Sequence, residues 1–224
     1  MNHIQQNIVS IRQHIPNGVK LICVSKFHTT DSIMQAYEVG ERDFGESRVQ
    51  ELLPKYEVLP KDIRWHFIGH LQTNKVRMIV PVVYMIHSVD SMRLLETINR
   101  EAEKINRKVN VLLEVHVAKE QTKSGFAIDE LLSIKEYLST FNYIEVCGIM
   151  GMATNTKDEE EIRRCFRIIK SIGLQLLSHS TNNNAAKGNK SAIISMGMSD
   201  DYLIAIEEGS TMVRIGSSIF GERV

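Results

Sequence analysis

Near its two ends the chain carries residue types suited to holding a molecule with both an aldehyde and an anionic group. The apolar run Val19 to Ser25 is followed at once by Lys26. An ammonium held among apolar neighbours is disfavoured, and only the neutral amine attacks an aldehyde to form a Schiff base. Towards the other end, SMGMSDD (Ser195 to Asp201) and STMVRIGSSIFG (Ser210 to Gly221) each place Gly, Ser or Thr where an extended pattern passes into a helical one. Free backbone N–H groups and a positive dipole end at such turns can hold a phosphate. Between the two turns Arg214 interrupts an otherwise apolar strand pattern, which suggests an anionic cofactor.

These residues need a scaffold that brings both ends of the chain together. Apolar runs occur at 19–25, 42–45, 63–69, 82–89, 109–117, 143–150, 192–197 and 211–216. Between them lie helical patterns, among them 32–40, 91–106, 128–141 and 159–172, several opened by Asp or Ser in a capping position. Strands rich in Val, Ile and Leu without polar alternation belong to a parallel sheet covered by helices. Eight such units predict an α/β fold, a single (β/α)8 TIM barrel over 19–221 with an added N-terminal helix over 1–16, so that residues 1–224 form one domain. The rival is an open doubly wound sheet, since periodicity does not report closure.

The 27 basic and 27 acidic residues cancel, and no net field favours nucleic acid or an acidic membrane surface. Ile4, Ile8, Ile11 and Ile15 recur at helical intervals among polar residues, an amphipathic helix rather than a signal peptide. No stretch approaches transmembrane length. The three cysteines, Cys23, Cys147 and Cys165, read as free thiols of a reducing cytoplasm, which makes the sequon at Asn189 a chance match. His66 and His70 share i, i+4 spacing, but Gly69 interrupts a helix there and no further ligand completes a set, so no metal is expected. Met196, Met198 and Met212 read as core, and Asp200 and Asp201 as helix caps.

In a barrel of this kind the active site lies at the carboxyl ends of the strands. Lys26 would project from that rim after the first strand. Ser47 follows the second strand, and His66 and Asn74 surround the end of the third. Ser199 follows the seventh and Gly216 and Ser217 the eighth, where such barrels hold phosphate, so these three are the expected phosphate ligands.

The motifs ICVSK ending at Lys26, FGESRVQE (Phe44 to Glu51), WHFIGHLQTNK (Trp65 to Lys75), KSGF (Lys123 to Phe126), GMSDD and GSTMVRIGSSIFG cover nearly the whole chain. In these the chain resembles the pyridoxal phosphate homeostasis protein family, single-domain relatives of the alanine racemase N-terminal barrel. The resemblance implies that Lys26 forms a covalent aldimine with pyridoxal 5′-phosphate and that Arg214 hydrogen-bonds the pyridine nitrogen. It implies phosphate contacts from Ser199, Gly216 and Ser217, and a pocket lined by Asn74, His66 and Ser47. The family has Asn where this chain has Ser47, and Pro where it has His70.

An arginine at the pyridine nitrogen disfavours protonation there and weakens the cofactor as an electron sink. Racemisation would need a second base opposite Lys26, and Tyr202 is the tyrosine to test. No catalytic residue is assigned. The expected function is a cytoplasmic carrier of pyridoxal phosphate without dedicated enzymatic activity, acting in its homeostasis, monomeric, with apo-enzymes as recipients. The alternatives are a pyridoxal phosphate-dependent amino acid racemase and a Schiff-base aldolase-like barrel without cofactor.

Overall fold

Closure is decided by the first and last strands. In the computed structural model, which describes residues 1–119, 124–177 and 192–221, the strand Lys20–Val24 (β1) pairs in parallel with Met212–Ile215, with Lys20 opposite Met212 and Ile22 opposite Arg214. The sheet is therefore a closed eight-stranded barrel in sequence order, not an open sheet. The stretch 180–191, with its sequon, and Lys123 lie outside the described residues.

A helix His3–His14 (α1) precedes β1. Then follow α2 (Thr30–Glu38), β2 (Asp43–Glu46), α3 (Val49–Val58), β3 (Arg64–Phe67), a 3-10 turn Thr73–Lys75, α4 (Val76–Ile79), β4 (Met85–Val89), α5 (Met92–Lys104) and β5 (Val109–Val115). The second half contains α6 (Ile128–Ser133), a 3-10 turn Tyr137–Thr140, β6 (Ile144–Gly151), α7 (Glu159–Leu177), β7 (Ile193–Ser195), α8 (Tyr202–Glu207), β8 (Met212–Ile215) and α9 (Ser217–Phe220).

The helix expected over 128–141 is broken in two. Ser133, Ser139 and Thr140 each donate a side-chain hydrogen bond to the carbonyl three residues earlier, competing with the helical ladder. The helix expected over 159–172 instead continues to Leu177, because Gly173 lets it lie close on Ile194 of β7.

Helix α1 opens with a capping box, Asn2 accepting from the Gln5 N–H while the Gln5 side chain accepts from the Asn2 N–H. It buries Ile4, Ile8 and Ile11 against α2 and α9, each contributing about 1.5–3 kcal/mol by removal from water. Asn7 also donates to the Ile219 carbonyl at 3.0 Å, which ties α1 to the short helix that closes the barrel.

The core has two layers. A large cluster fills the space between sheet and helices, and a small one, Ile22, Met85, Leu112, Met150 and Met212, fills the barrel. Met196 is buried in the outer layer and Met212 in the inner one. Met198, expected in the core, is 41% exposed, because its N–H is turned to Asp201 Oδ1 in the loop after β7.

Candidate functional site

Lys26 stands two residues beyond β1, half-buried at the carboxyl rim, and its flanking backbone is held from three sides. Ser25 N donates to the Gly45 carbonyl at 3.0 Å, which extends the sheet register by one residue. Ser25 Oγ donates to Glu46 Oε1 at 2.6 Å, and Lys55 Nζ on α3 donates both to that oxygen (2.7 Å) and to the Ser25 carbonyl (2.9 Å). On the far side, Phe27 N donates to Glu51 Oε2 at 2.7 Å while Phe27 adopts a left-handed φ of 68°. A non-glycine residue in that region is strained, so the Glu51 contact holds a turn the chain would not keep unaided. His28 then stacks on Phe220 at 5.0 Å between ring centroids, joining the Lys26 loop to α9.

Glu46 and Lys55 are buried, at 0% and 8% exposure. Burial pushes the Glu46 carboxyl above the usual range, against the pull of Lys55. Glu46 Oε2 is buried with no hydrogen-bond partner among the described residues. Glu46 is thus a half-satisfied carboxylate whose charge depends on one lysine.

Across the β1–β8 seam lies the second half of the site. Gly216 follows β8, and a Cβ there would come within 3.2 Å of the Val24 carbonyl and 3.3 Å of Val24 Cβ, so its lack of a side chain allows close approach to the strand that leads to Lys26. The Ser199 hydroxyl accepts from Gly216 N at 3.3 Å and Ser218 N at 3.5 Å, capping the start of α9 with long bonds. Gly216, Ser217 and Ser218 therefore offer N–H groups at a helix start, and Ser199 and Ser217 add hydroxyls beside them.

Below this turn the Arg214 guanidinium is buried at 5% exposure. Its NH1 group donates to the Ser195 carbonyl (2.9 Å) and Ser195 Oγ (2.7 Å), and its NH2 group to the Gly151 carbonyl (3.3 Å). No carboxylate of the described residues forms an ion pair with it, and burial lowers its pKa to about 10, against the more distant Asp201 and Glu114. A buried cation bonded only to neutral oxygens can offer a hydrogen bond to an acceptor above it.

The whole chain, residues 1–224, matches the family model for the alanine racemase N-terminal domain. It is 40% identical over 208 residues to the pyridoxal phosphate homeostasis protein of Aquifex aeolicus, covering 92% of this chain and 88% of that protein. It is 35% identical over 216 residues to the protein of that description from Schizosaccharomyces pombe, covering 94% and 88%. The chain belongs to the pyridoxal phosphate homeostasis protein family. Among solved structures it is similar to PipY of Synechococcus elongatus with PLP bound, at TM-score 0.86 and 33% identity over 97% of this chain and all of that one. The alanine racemase of Bartonella henselae shares the fold, at TM-score 0.75 and 16% identity over 99% of this chain and 59% of its own.

Within this family barrel the remaining expected residues are distributed unevenly. Ser47 is half-buried after β2, and the loops after β2 and β3 touch: a Cβ on Gly69 would fall 2.2 Å from the Ser47 carbonyl oxygen. Asn74 is exposed in the 3-10 turn. His70 is exposed and faces Asp90 at 3.1 Å. His66 differs from expectation: it lies within β3, fully buried, and bonds Asp43 and His87 inside the barrel instead of facing the rim. It occupies the inward position opposite Gly45 and Met85, below the level of the loops.

Asp201 also departs from the capping role. Its carboxylate accepts from Met198 N at 2.6 Å and makes no cap bond to α8. Tyr202 packs against the outer core. Sequence reasoning missed Lys55, Glu51, Ser195 and His87. His87 was signalled by a histidine inside the apolar run 82–89, whereas Lys55 reads as an ordinary helix-surface lysine.

Among the described residues no three His, Cys, Asp or Glu side chains gather as metal ligands. No described helix is long and apolar enough to cross a membrane. The three cysteines are free thiols, two of them buried.

Proposed function

We propose that this chain binds pyridoxal phosphate and carries it in covalent linkage to Lys26, as a protein of pyridoxal phosphate homeostasis. The observation that carries the reading is the β1–β8 seam. It brings the end of β1, two residues before Lys26, against Gly216, where the N–H groups of Gly216, Ser217 and Ser218 begin α9, and it pairs Ile22 of β1 with Arg214. The phosphate is proposed to lie on Ser199, Gly216 and Ser217, displacing the long Ser199 bonds. The ring nitrogen is proposed to face Arg214, and Ser47 and Asn74 to border the pocket mouth. His66 acts from below, through other side chains.

Bound pyridoxal phosphate supplies an aldehyde and, when its ring nitrogen is protonated, an electron sink. Arg214 opposes that protonation by charge, which favours carriage over decarboxylation or transamination. Tyr202, packed against the outer core, offers no support for a second base. We further propose that the protein works as a monomer in the cytoplasm and passes the cofactor to apo-enzymes.

Borohydride reduction of protein incubated with pyridoxal phosphate should leave a pyridoxyl mass on the peptide containing Lys26, and none in Lys26→Ala. A colourless protein with Lys26 unmodified would overturn the reading in favour of a cofactor-free aldolase-like barrel. Efficient α-proton exchange and D-enantiomer formation from L-alanine in deuterated water would establish a racemase instead.

A further inference from the structure

The barrel interior contains a row of polar side chains in a place where apolar residues normally pack. Starting at the strands' amino-terminal rim, the first residue of β2, Asp43, accepts from Arg64 through both oxygens (2.7 and 2.6 Å) and faces His66 Nε2 at 2.9 Å. His66 Nδ1 meets His87 Nε2 at 2.9 Å, and the two rings stand edge to face at 5.0 Å. His87 Nδ1 faces Ser195 Oγ at 3.5 Å, and Ser195 Oγ accepts from Arg214 at 2.7 Å. His66, His87 and Ser195 are fully buried.

The donors in this row can be ordered from its ends. Asp43 is only an acceptor when ionised, and Arg214 only a donor. Burial would raise the Asp43 carboxyl, but the bonds from Arg64 and His66 hold it well below the usual range, so it is ionised. Burial lowers both histidines, against Asp43 for His66 and together with His66 and Arg214 for His87, so both are neutral. A neutral imidazole has one N–H and one bare nitrogen. His66 must then place its proton on Nε2 towards Asp43, which leaves Nδ1 to accept from His87 Nε2–H. His87 Nδ1 is in turn left to accept from the Ser195 hydroxyl, which keeps its lone pairs for Arg214.

We propose that Arg214, Ser195, His87, His66 and Asp43 form a hydrogen-bond chain with all donors pointing one way, which makes Asp43 a positioning residue for the guanidinium at the opposite end of the barrel. No proton has to move along it. The carboxylate fixes two tautomers, and the tautomers fix the direction of the Ser195 hydroxyl and hence the plane of Arg214. In a low-dielectric interior, bonds aligned in this way reinforce one another, and the anion at one end strengthens Ser195 as an acceptor at the other. The link to the cofactor ring rests on the function proposed above; the order of the chain does not.

Two measurements separate the parts. Long-range proton–nitrogen NMR on cofactor-free protein labelled at histidine nitrogens, assigned with His66→Gln and His87→Gln, should show both histidines neutral with the proton on Nε2. Asp43→Asn should mix those tautomers at both positions, including His87, which does not touch Asp43. Arg64→Met, which removes an ion pair from the same carboxylate, should lower stability and leave the tautomers in place.

With pyridoxal phosphate labelled at the ring nitrogen, Asp43→Asn and Ser195→Ala should each shift the ring-nitrogen signal in the direction of Arg214→Lys. Each should also raise the dissociation constant of pyridoxal phosphate about three- to ten-fold, the size of one hydrogen bond. A His87 proton on Nδ1, or unchanged His87 tautomers in Asp43→Asn, would overturn the chain. An unchanged ring-nitrogen signal in Arg214→Lys alone would overturn the cofactor orientation and leave the chain standing.

Discussion

Lys55→Met tests whether the Lys26 loop is held by a buried charge pair. The substitution keeps the length and apolar stem of the side chain, and removes the donor to Glu46 Oε1 (2.7 Å) and to the Ser25 carbonyl (2.9 Å). Glu46 is left fully buried with the Ser25 hydroxyl as its remaining partner, since Oε2 has none already. Removing one partner of a buried pair costs about 3–5 kcal/mol. For a domain stable by about 5–15 kcal/mol this is a fifth or more of the total, so the variant should fold with a much lower urea midpoint.

The pH dependence identifies the cause. The Glu46 carboxyl is raised by burial, with Lys55 as the main opposing influence, and removing Lys55 raises it further. Between the unfolded and folded values the native state binds the proton more tightly, so stability falls as pH rises through that window and is level beyond it. The window extends to higher pH in Lys55→Met than in the native chain. Urea midpoints of the two proteins should therefore converge on acidification and separate on the way to neutrality. Lys55→Met with Glu46→Leu should regain most of the loss, because apolar replacement of a whole buried pair is often neutral. A loss below about 1 kcal/mol with parallel pH profiles would refute the account, since that is the size of an exposed pair.

Three further outcomes follow from the same geometry. Ser199→Ala frees the Gly216 and Ser218 N–H groups at a solvent-accessible turn; we expect a stability change under about 1 kcal/mol in urea, together with weaker binding of pyridoxal phosphate and unchanged binding of pyridoxal by fluorescence titration. Gly69→Ala would place a methyl 2.2 Å from the Ser47 carbonyl oxygen, so the loops after β2 and β3 must separate, at a cost of about 1–3 kcal/mol by thermal or urea unfolding. His87 is held neutral by burial, so the unfolded state binds its proton more tightly, and stability is lost as pH falls below the ordinary histidine range. The slope is at most about 1.4 kcal/mol per pH unit for each such histidine, and the midpoint of His87→Gln should fall less steeply than the native midpoint on acidification.

Most of the strands could be read because they are apolar runs too uniform to face water, β2 with its Asp43 and Glu46 being the exception. Closure could not, because the evidence for it is the pairing of Lys20 with Met212 across the full chain length, and a strand's own residues do not record its distant neighbour. Lys26, Ser199, Gly216 and Ser217 were legible for a related reason: in a barrel, position just after a strand already implies the rim. His66 shows where that rule stops. It sits next to a strand end, but its side chain points inward at a level set by its register with Gly45 and Met85, and register is a property of three strands together.

Lys55 was hidden differently. With Glu51 four residues before it on α3 it has the spacing of a solvent-exposed pair, and only the burial of Glu46 beneath the helix reveals that its amine holds the Lys26 loop. The local pattern thus named the groups proposed to touch a ligand, while the groups proposed to aim them are set by contacts between strands and helices. Arg214 belongs to both sets. Its place in the C-terminal motif marked it as a ligand-facing cation, and its orientation depends on Ser195, His87, His66 and Asp43, drawn from four other segments of the chain.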